Sequence, residues 1–304
     1  MPVPRPRRSC LAVPGTNPRM HEKAAASEAD EVVIDLEDAV VADEKDRARG
    51  IVAEAVGAHD WGDKTVVVRV NACDTHWCHR DLVAVAEGAG ERLDCIMVPK
   101  VESARDLHFV HTLLEQVERG TGRATPLGIE AQVESGSGVF WMREIALATP
   151  RLETLVFGPG DFSASVGMPS VSIGAPLPDY PGNHWHHAMS TIVTAARAVG
   201  AQPIDGPVGN FRDLDGLRTM ARRARALGFD GKWAIHPTQI PVLNEVFAPS
   251  EEEWERANAL LAAYETATGE GRGAVGHDGE MIDEANRKMA ERVVAQGRAA
   301  GMGA

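Results

Sequence analysis

Along the chain, short apolar runs rich in β-branched residues alternate with longer stretches in which apolar residues recur every three or four positions. The runs are SCLAVPG, EVVIDLED, TVVVRVN, DCIMVPK, PLGIEAQVE, LETLVFGPGD, AQPIDGP and GKWAIHP. Each leads into a polar or glycine-bearing turn. Segments such as PRMHEKAAASEA, DEKDRARGIVAEAV, SARDLHFVHTLLEQVE and FRDLDGLRTMARRARAL carry the helical spacing. Eight strand-then-helix repeats predict an α/β fold, a (β/α)₈ TIM barrel of about 250 residues, placed over residues 1–248 as the catalytic domain. A Rossmann sheet is the weaker reading, because no GxGxxG follows any of the runs.

After FAPSEEE the pattern changes. SEEEWERANALLAAYETA and EMIDEANRKMAERVVAQGRAA read as helices, separated by the glycine-rich loop GEGRGAVGHDG. Residues 249–304 show no strand pattern and too few apolar positions to fold alone, which predicts a helical lid or oligomerisation extension that packs on a barrel, its own or a neighbour's.

In a TIM barrel the C-terminal ends of the strands form the reactive face. The polar residues that end the runs are Asp35, Glu37 and Asp38, Arg69 and Asn71, Lys100, Glu134, Asp161, Asp205 and His236. Carboxylates outnumber bases. Several carboxylates in one mouth raise each other's pKa unless a cation neutralises them, so a divalent metal is the economical explanation. Oxygen donors without an HExxH pattern favour magnesium, with manganese as a substitute, because magnesium needs only one or two protein carboxylates.

Composition narrows the class further. The 304 residues are 44% hydrophobic and 25% charged, and carry a net charge of −13. That charge argues against a protein that tracks nucleic acid or an anionic membrane surface. No apolar run approaches the roughly 18 residues of a spanning helix, and MPVPRPRRSC has no long apolar segment behind its basic cluster, so the expected location is cytoplasmic. The four cysteines do not suggest a disulfide framework. Cys73, His76, Cys78 and His79 lie too close together to wrap a tetrahedral zinc ion. The cluster His184, His186 and His187 reads as helix-start surface.

The stretches AAASEADEVVIDLEDAV, VVVRVNA, RLDCIMVPKVESA, VESGSGV, FGPGDFSASVGM, PIDGPVGNFRD, RRARALGFDGKWAIHPTQIPVLNEVFAPS and MIDEANRKMA resemble, in order and spacing, the citrate lyase β-subunit-like branch of the HpcH/HpaI aldolase family. The likeness covers nearly the whole chain and is greatest to the L-malyl-CoA/β-methylmalyl-CoA lyases. It implies Glu134 and Asp161 as the magnesium ligands and Arg69 as the arginine that reaches the substrate carbonyl or alkoxide oxygen. Glu37 and Asp38 then accept hydrogen bonds from metal-bound water and steady Arg69. Asp283, from an adjacent subunit of a homotrimer or homohexamer, is implied as the acid that serves the thioester enolate. The implied substrates are a CoA thioester and glyoxylate.

Each of these residues has a plainer reading. Glu134 could be a strand-end salt bridge, although the small residues after it leave room for a ligand near the backbone. Glu130 points to the same side as Glu134, deeper in the barrel, and could support the metal site. Asp161 and Asp283 could both be helix N-caps. Arg69 could pair with Asp35, Glu37 and Asp38. CoA is polyanionic and requires a local basic patch on so acidic a chain; Arg19 and Lys23 are the first candidates, then Arg7 and Arg8, which could instead be a solvated terminus. Lys100 serves the mouth or an ion pair; a Schiff-base role would leave the carboxylates without a purpose. A malyl-CoA thioesterase and a citrate lyase-like subunit remain alternatives to the lyase.

Overall fold

In a computed structural model that describes residues 5–177, 179–277 and 279–303, all eight expected strands are present. They are β1 (Ser9–Pro14), β2 (Glu31–Asp35), β3 (Thr65–Arg69), β4 (Cys95–Val98), β5 (Gly128–Val133), β6 (Leu152–Phe157), β7 (Gln202–Asp205) and β8 (Gly231–Ala234). They close in sequence order into a parallel barrel, with β8 returning to β1 through Ser9–Lys232, Cys10–Trp233 and Leu11–Ala234. Residues 1–4 of the basic start, Asp278 of the glycine-rich loop and Ala304 lie outside the described residues.

A strand covered on both faces needs no polar alternation, which is why EVVID and TVVVR are buried at every position. The crossovers carry α1 (Pro18–Ala25), α2 (Lys45–Ala58), α3 (Cys78–Gly88), α4 (Ala104–Thr121), α5 (Gly136–Phe140), α6 (Met142–Ala146), α7 (Pro159–Ser165), α8 (His186–Val199), α9 (Leu214–Leu227) and α10 (Ile240–Phe247). In α9 the buried residues Leu217, Met220, Ala221 and Ala224 fall three or four apart, the apolar stripe a barrel helix requires. α4 starts at a reciprocal cap between Ser103 and Asp106 and stops at Gly122 in the left-handed region.

The inward positions of most strands are apolar: Cys10, Val33, Val67, Cys95, Met97, Val156, Ile204 and Trp233 form one buried cluster. β5 contributes nothing to it, because its inward residues are Glu130 and Gln132, followed by Glu134 two residues on. The N-terminal end of the barrel is closed by Arg7. Its guanidinium bonds Glu31 (2.7 Å), Glu130 (2.9 Å), Glu153 (2.8 Å) and Gln202 (2.7 Å), and its side chain is fully buried. Arg8 pairs with Asp30 beside it. Neither arginine is a solvated tail and Arg7 cannot hold CoA, because a side chain sealed among three carboxylates has no face left for a phosphate. For the same reason Glu130 is not a support of the mouth; it belongs to the floor.

Two compact units are distinguished, Met1–Asn244 and Glu245–Ala304. The second contains α11 (Glu251–Gly269), β9 (Val275–His277), β10 (Glu280–Ile282) and α12 (Glu284–Ala299). The loop expected to lack strands is instead a short antiparallel ribbon, in which Ile282 pairs with Val275. The unit also has a small core that the apolar count did not suggest: Ala257, Ala290 and Val294 are buried with Leu260, Leu261 and Val293 against them. Gly297 lets the Trp254 ring approach so closely that a Cβ there would lie 2.1 Å from it.

Candidate active site at the barrel mouth

Asp35 and Arg69 end β2 and β3 as register partners, so the backbone brings their side chains together before any ligand does. The pair is bidentate, with Arg69 Nε donating to Asp35 Oδ1 at 2.8 Å and Nη2 to Oδ2 at 2.7 Å. Asp35 also accepts from the backbone N–H of Glu37 and Ala39. Burial alone would raise the Asp35 carboxyl, but Arg69 and these two N–H groups bring it below the usual carboxylate range. The third nitrogen, Nη1, lies 3.1 Å from Glu37 Oε2 and 3.4 Å from Gln132 Oε1. The Glu37 contact is a charge contact without an aligned N–H, since Oε2 has no hydrogen-bond partner. The guanidinium also sits over the Trp233 ring, 5.2 Å from its centre.

Glu134 is held from two sides. Its Oε1 accepts from the Lys100 backbone N–H at 2.8 Å, and its Oε2 from Gln132 Nε2 at 2.6 Å. Gly158 makes this possible, because a Cβ there would come within 2.3 Å of Oε2. The small residues after Glu134 also make room for the chain: Ser135 caps α5, and a Cβ on Gly138 would strike the Val101 carbonyl at 2.6 Å. Lys100 has φ of 51°, the one non-glycine residue in the left-handed region among those described. That conformation costs about 1 kcal/mol. It turns the backbone N–H to Glu134 while the side chain reaches Glu37 and Asp38.

These groups surround a cavity of about 430 Å³. Its polar wall is Asp35, Asp38, Arg69, Gln132, Glu134 and Asp161, and its apolar wall includes Met20, Ile173, Pro207, Trp233 and Ile235. Burial pushes Glu134 up to about 8, reinforced by Glu37 and Asp161 against the opposing Arg69. Glu37 is also raised, chiefly by burial, with Arg69 and Lys100 offsetting only part. Lys100 is raised by Glu37 and Asp38 against the lowering effect of burial. A buried carboxyl that holds its proton into the neutral range, facing a second carboxylate across a cavity, is a place where a dication can replace the proton. Among the described residues no group of three or more His, Cys, Asp or Glu is arranged to hold a metal. Two carboxylates with the remaining positions left to water and substrate suit magnesium and not zinc.

The other expected residues are placed as follows. Asp161 is exposed on the first turn of α7 but is not its N-cap, which is Gly158. Arg19 and Lys23 stand one turn apart on the exposed face of α1, which also carries the cavity residue Met20, and neither has an ion-pair partner among the described residues. Asp283 lies in the second unit, where Oδ1 caps α12 by accepting from the Ala285 and Asn286 N–H groups. Asp205 pairs with Lys232 at 2.6 Å and is spent on the wall between β7 and β8. His236 stacks on Phe211, and His186 and His187 are exposed at the start of α8. Gln132 was not among the expected residues; its place two positions before Glu134 on an inward face is the signal that could have found it.

No helix among the described residues is long and apolar enough to cross a membrane. Residues 8–237 match the HpcH/HpaI aldolase/citrate lyase family. The chain is 44% identical to the L-malyl-CoA/β-methylmalyl-CoA lyase of Cereibacter sphaeroides, over 97% of this chain and 96% of that protein. It is 37% identical to a (3S)-malyl-CoA thioesterase of the same organism, over 97% and 95%. The crystal structure of CitE from Mycobacterium tuberculosis in complex with magnesium, acetoacetate and coenzyme A superposes with a TM-score of 0.76 at 32% identity, covering 95% of this chain and 97% of that one. With the barrel, its carboxylate-lined mouth and these three likenesses in agreement, the chain belongs to the HpcH/HpaI aldolase/citrate lyase family.

Proposed function

We propose that the chain is a magnesium-dependent acyl-CoA lyase that reversibly cleaves L-malyl-CoA, or β-methylmalyl-CoA, to glyoxylate and acetyl-CoA, or propionyl-CoA. The observation that carries this reading is Arg69, locked to Asp35 and presented to a cavity that Glu134 and Asp161 also line. The 44% identity to a lyase of that name supports it, as does the magnesium and coenzyme A bound by CitE.

Glu134 and Asp161 are the residues that would hold magnesium, which when bound supplies Lewis-acid stabilisation of the oxygen on the glyoxylate half, a term of several kcal/mol. Arg69 donates to the same oxygen as negative charge grows there. Because Asp35 already fixes the guanidinium, the reaction requires no reorganisation of it. Glu37 and Asp38 orient water and hold Lys100 over the mouth. The carbinol hydroxyl gives its proton to the water that Glu37 and Asp38 orient, its oxygen closes to the glyoxylate carbonyl, and the bond between the carbinol carbon and the methylene beside the thioester breaks, its electron pair passing to the thioester enolate. The enolate carbon then takes a proton from Asp283 of an adjacent subunit; Oδ1 of that residue is occupied by the cap, and Oδ2 accepts no bond among the described residues. Arg19 and Lys23 bind the CoA phosphates.

The deciding experiment is incubation with malyl-CoA and magnesium, with glyoxylate and free CoA detected separately. Glyoxylate and acetyl-CoA in equal amounts are expected. Free CoA and malate without glyoxylate overturn the reading in favour of a thioesterase, the alternative that the 37% relative favours. Turnover of the free thioester by the purified chain also separates it from a citrate lyase-like subunit that needs an acyl carrier. Mixing Glu134→Ala and Asp283→Ala chains after dissociation tests the shared site: activity returns if Asp283 crosses between subunits, and mixtures stay inactive if it does not.

A further inference from the structure

A second cavity, about 610 Å³, shares Glu134 and Asp161 with the first. Its wall includes Cys73, Ser103 and Asp106, and Cys73 is half-buried there, within reach of a small solute. Behind it is Cys78, fully enclosed at the first turn of α3. The two sulfurs are 3.9 Å apart, with the Cys78 thiol donating to Cys73 Sγ, and Cys73 Sγ itself lies 3.9 Å from the Asp106 carbonyl. The loop between β3 and α3 therefore presents one accessible sulfur and one protected sulfur already in contact. Cys10 and Cys95, by comparison, are sealed in the barrel interior and line neither cavity.

We propose that Cys73 and Cys78 form a dithiol redox site, in which Cys73 is oxidised by a hydroperoxide that enters the second cavity and Cys78 resolves the product to an intraloop disulfide. In the first step Cys73 Sγ attacks the peroxide oxygen and the O–O bond breaks, giving a sulfenic acid and an alcohol or water. In the second, Cys78 Sγ attacks that sulfur, the S–O bond breaks, and the Cys78 proton leaves with the oxygen as water. Two thiols and one hydroperoxide thus become one disulfide, one alcohol and one water. Cys73 lines the cavity while Cys78 is enclosed behind it, so Cys73 is the sulfur a solute meets first; the hydrogen bond to Cys73 and burial also raise the Cys78 thiol. The sulfurs must approach by about 1.9 Å to bond. That movement reshapes the Cys73 wall of the second cavity, whose lining also includes Glu134 and Asp161.

The test treats the reduced full-length protein with tert-butyl hydroperoxide and reads it by intact mass and peptide mapping after alkylation. A product two hydrogens lighter, linked between positions 73 and 78 and restored by dithiothreitol, is expected. Cys73→Ser should abolish the link, and Cys78→Ser should leave a sulfenic acid at Cys73 that dimedone traps. Oxidation of Cys73 straight to sulfinic or sulfonic acid in the unaltered protein, or two thiols that still alkylate after treatment, overturns the proposal. The mass readout does not depend on which reaction the active site performs.

Discussion

The two ends of the barrel are built from the same parts and do opposite things. At the floor, Arg7 meets Glu31, Glu130 and Glu153; at the mouth, Arg69 meets Asp35, Glu37 and Glu134. Glu31 and Asp35 are the two ends of β2, and Glu130 and Glu134 stand four residues apart along β5 and its exit. The floor resolves its surplus of negative charge internally. Arg5 joins Arg7 by pairing with Asp94 and Glu153, and burial together with Glu31 pushes the Glu130 carboxyl well above its ordinary value. At the mouth, Arg69 and Lys100 are set against Asp35, Glu37, Asp38, Glu134 and Asp161, and a cavity opens among Asp35, Asp38, Arg69, Glu134 and Asp161. A closed cluster whose charge is settled is structure. An open cluster that lacks positive charge is a place for a cation.

The contrast can be broken most sharply at Glu134. Glu134→Ala should lower magnesium-dependent turnover by about 10³-fold, in keeping with a Lewis-acid contribution of several kcal/mol, while the thermal transition stays in place. Retained turnover with ordinary magnesium dependence would sink the ligand assignment. Arg7→Ala should do the reverse. Removing one partner from a buried ion cluster costs about 3–5 kcal/mol, so the melting temperature should fall on the order of 10 °C, with kcat per folded molecule unchanged. A variant that melts normally, or that melts early and also loses kcat, would mean that floor and mouth are not separate in function.

A third expectation follows from the proton on Glu134. Its folded value of about 8 lies above the ordinary 4.5, so the stabilisation from holding that proton is full below about 4.5 and is lost as pH rises through about 8. Magnesium must displace this proton. Its affinity should therefore rise by up to about tenfold per pH unit and level off above about pH 8, a change of about 50-fold between pH 6 and pH 8. Calorimetric titration at several pH values would show it, and an affinity independent of pH would contradict it. The smallest effect is expected at Lys100. Lys100→Gly relieves the left-handed backbone by about 1 kcal/mol and keeps the N–H to Glu134. It removes the ammonium from Glu37 and Asp38, so kcat should fall roughly tenfold with little change in melting. Loss of more activity than Glu134→Ala would make Lys100 a reacting group.

Much of the mouth was legible because a barrel strand must change from apolar to polar where it leaves the core. That rule alone singled out Asp35, Arg69, Lys100, Glu134 and Asp161 as a group. It could not rank them. Asp205 satisfies the same rule but is neutralised by Lys232, and nothing local distinguishes it from Asp161. Arg7 looked like a tail because its partners lie 24, 123 and 146 residues away. Gln132 and the left-handed turn at Lys100 escaped for a similar reason: one depends on which face of β5 points inward, the other on a hydrogen bond to a carboxylate 34 residues on.

The chain by itself determined the order and kind of its elements, since period-two and period-3.6 apolar patterns are local and each strand's buried run is continuous in sequence. It also pointed to one end of the barrel as the candidate reactive face, and it supplied the family likeness. Only the tertiary structure decided which carboxylates are spent and which remain. Whether Asp35, Glu130 or Asp205 meets a cation depends on strand register and barrel closure, contacts between residues far apart in sequence. Burial raises both Asp35 and Glu134 and exists only when the barrel is closed; the two part because Arg69, bonded to Asp35, carries that carboxyl below its ordinary value while Glu134 stays raised.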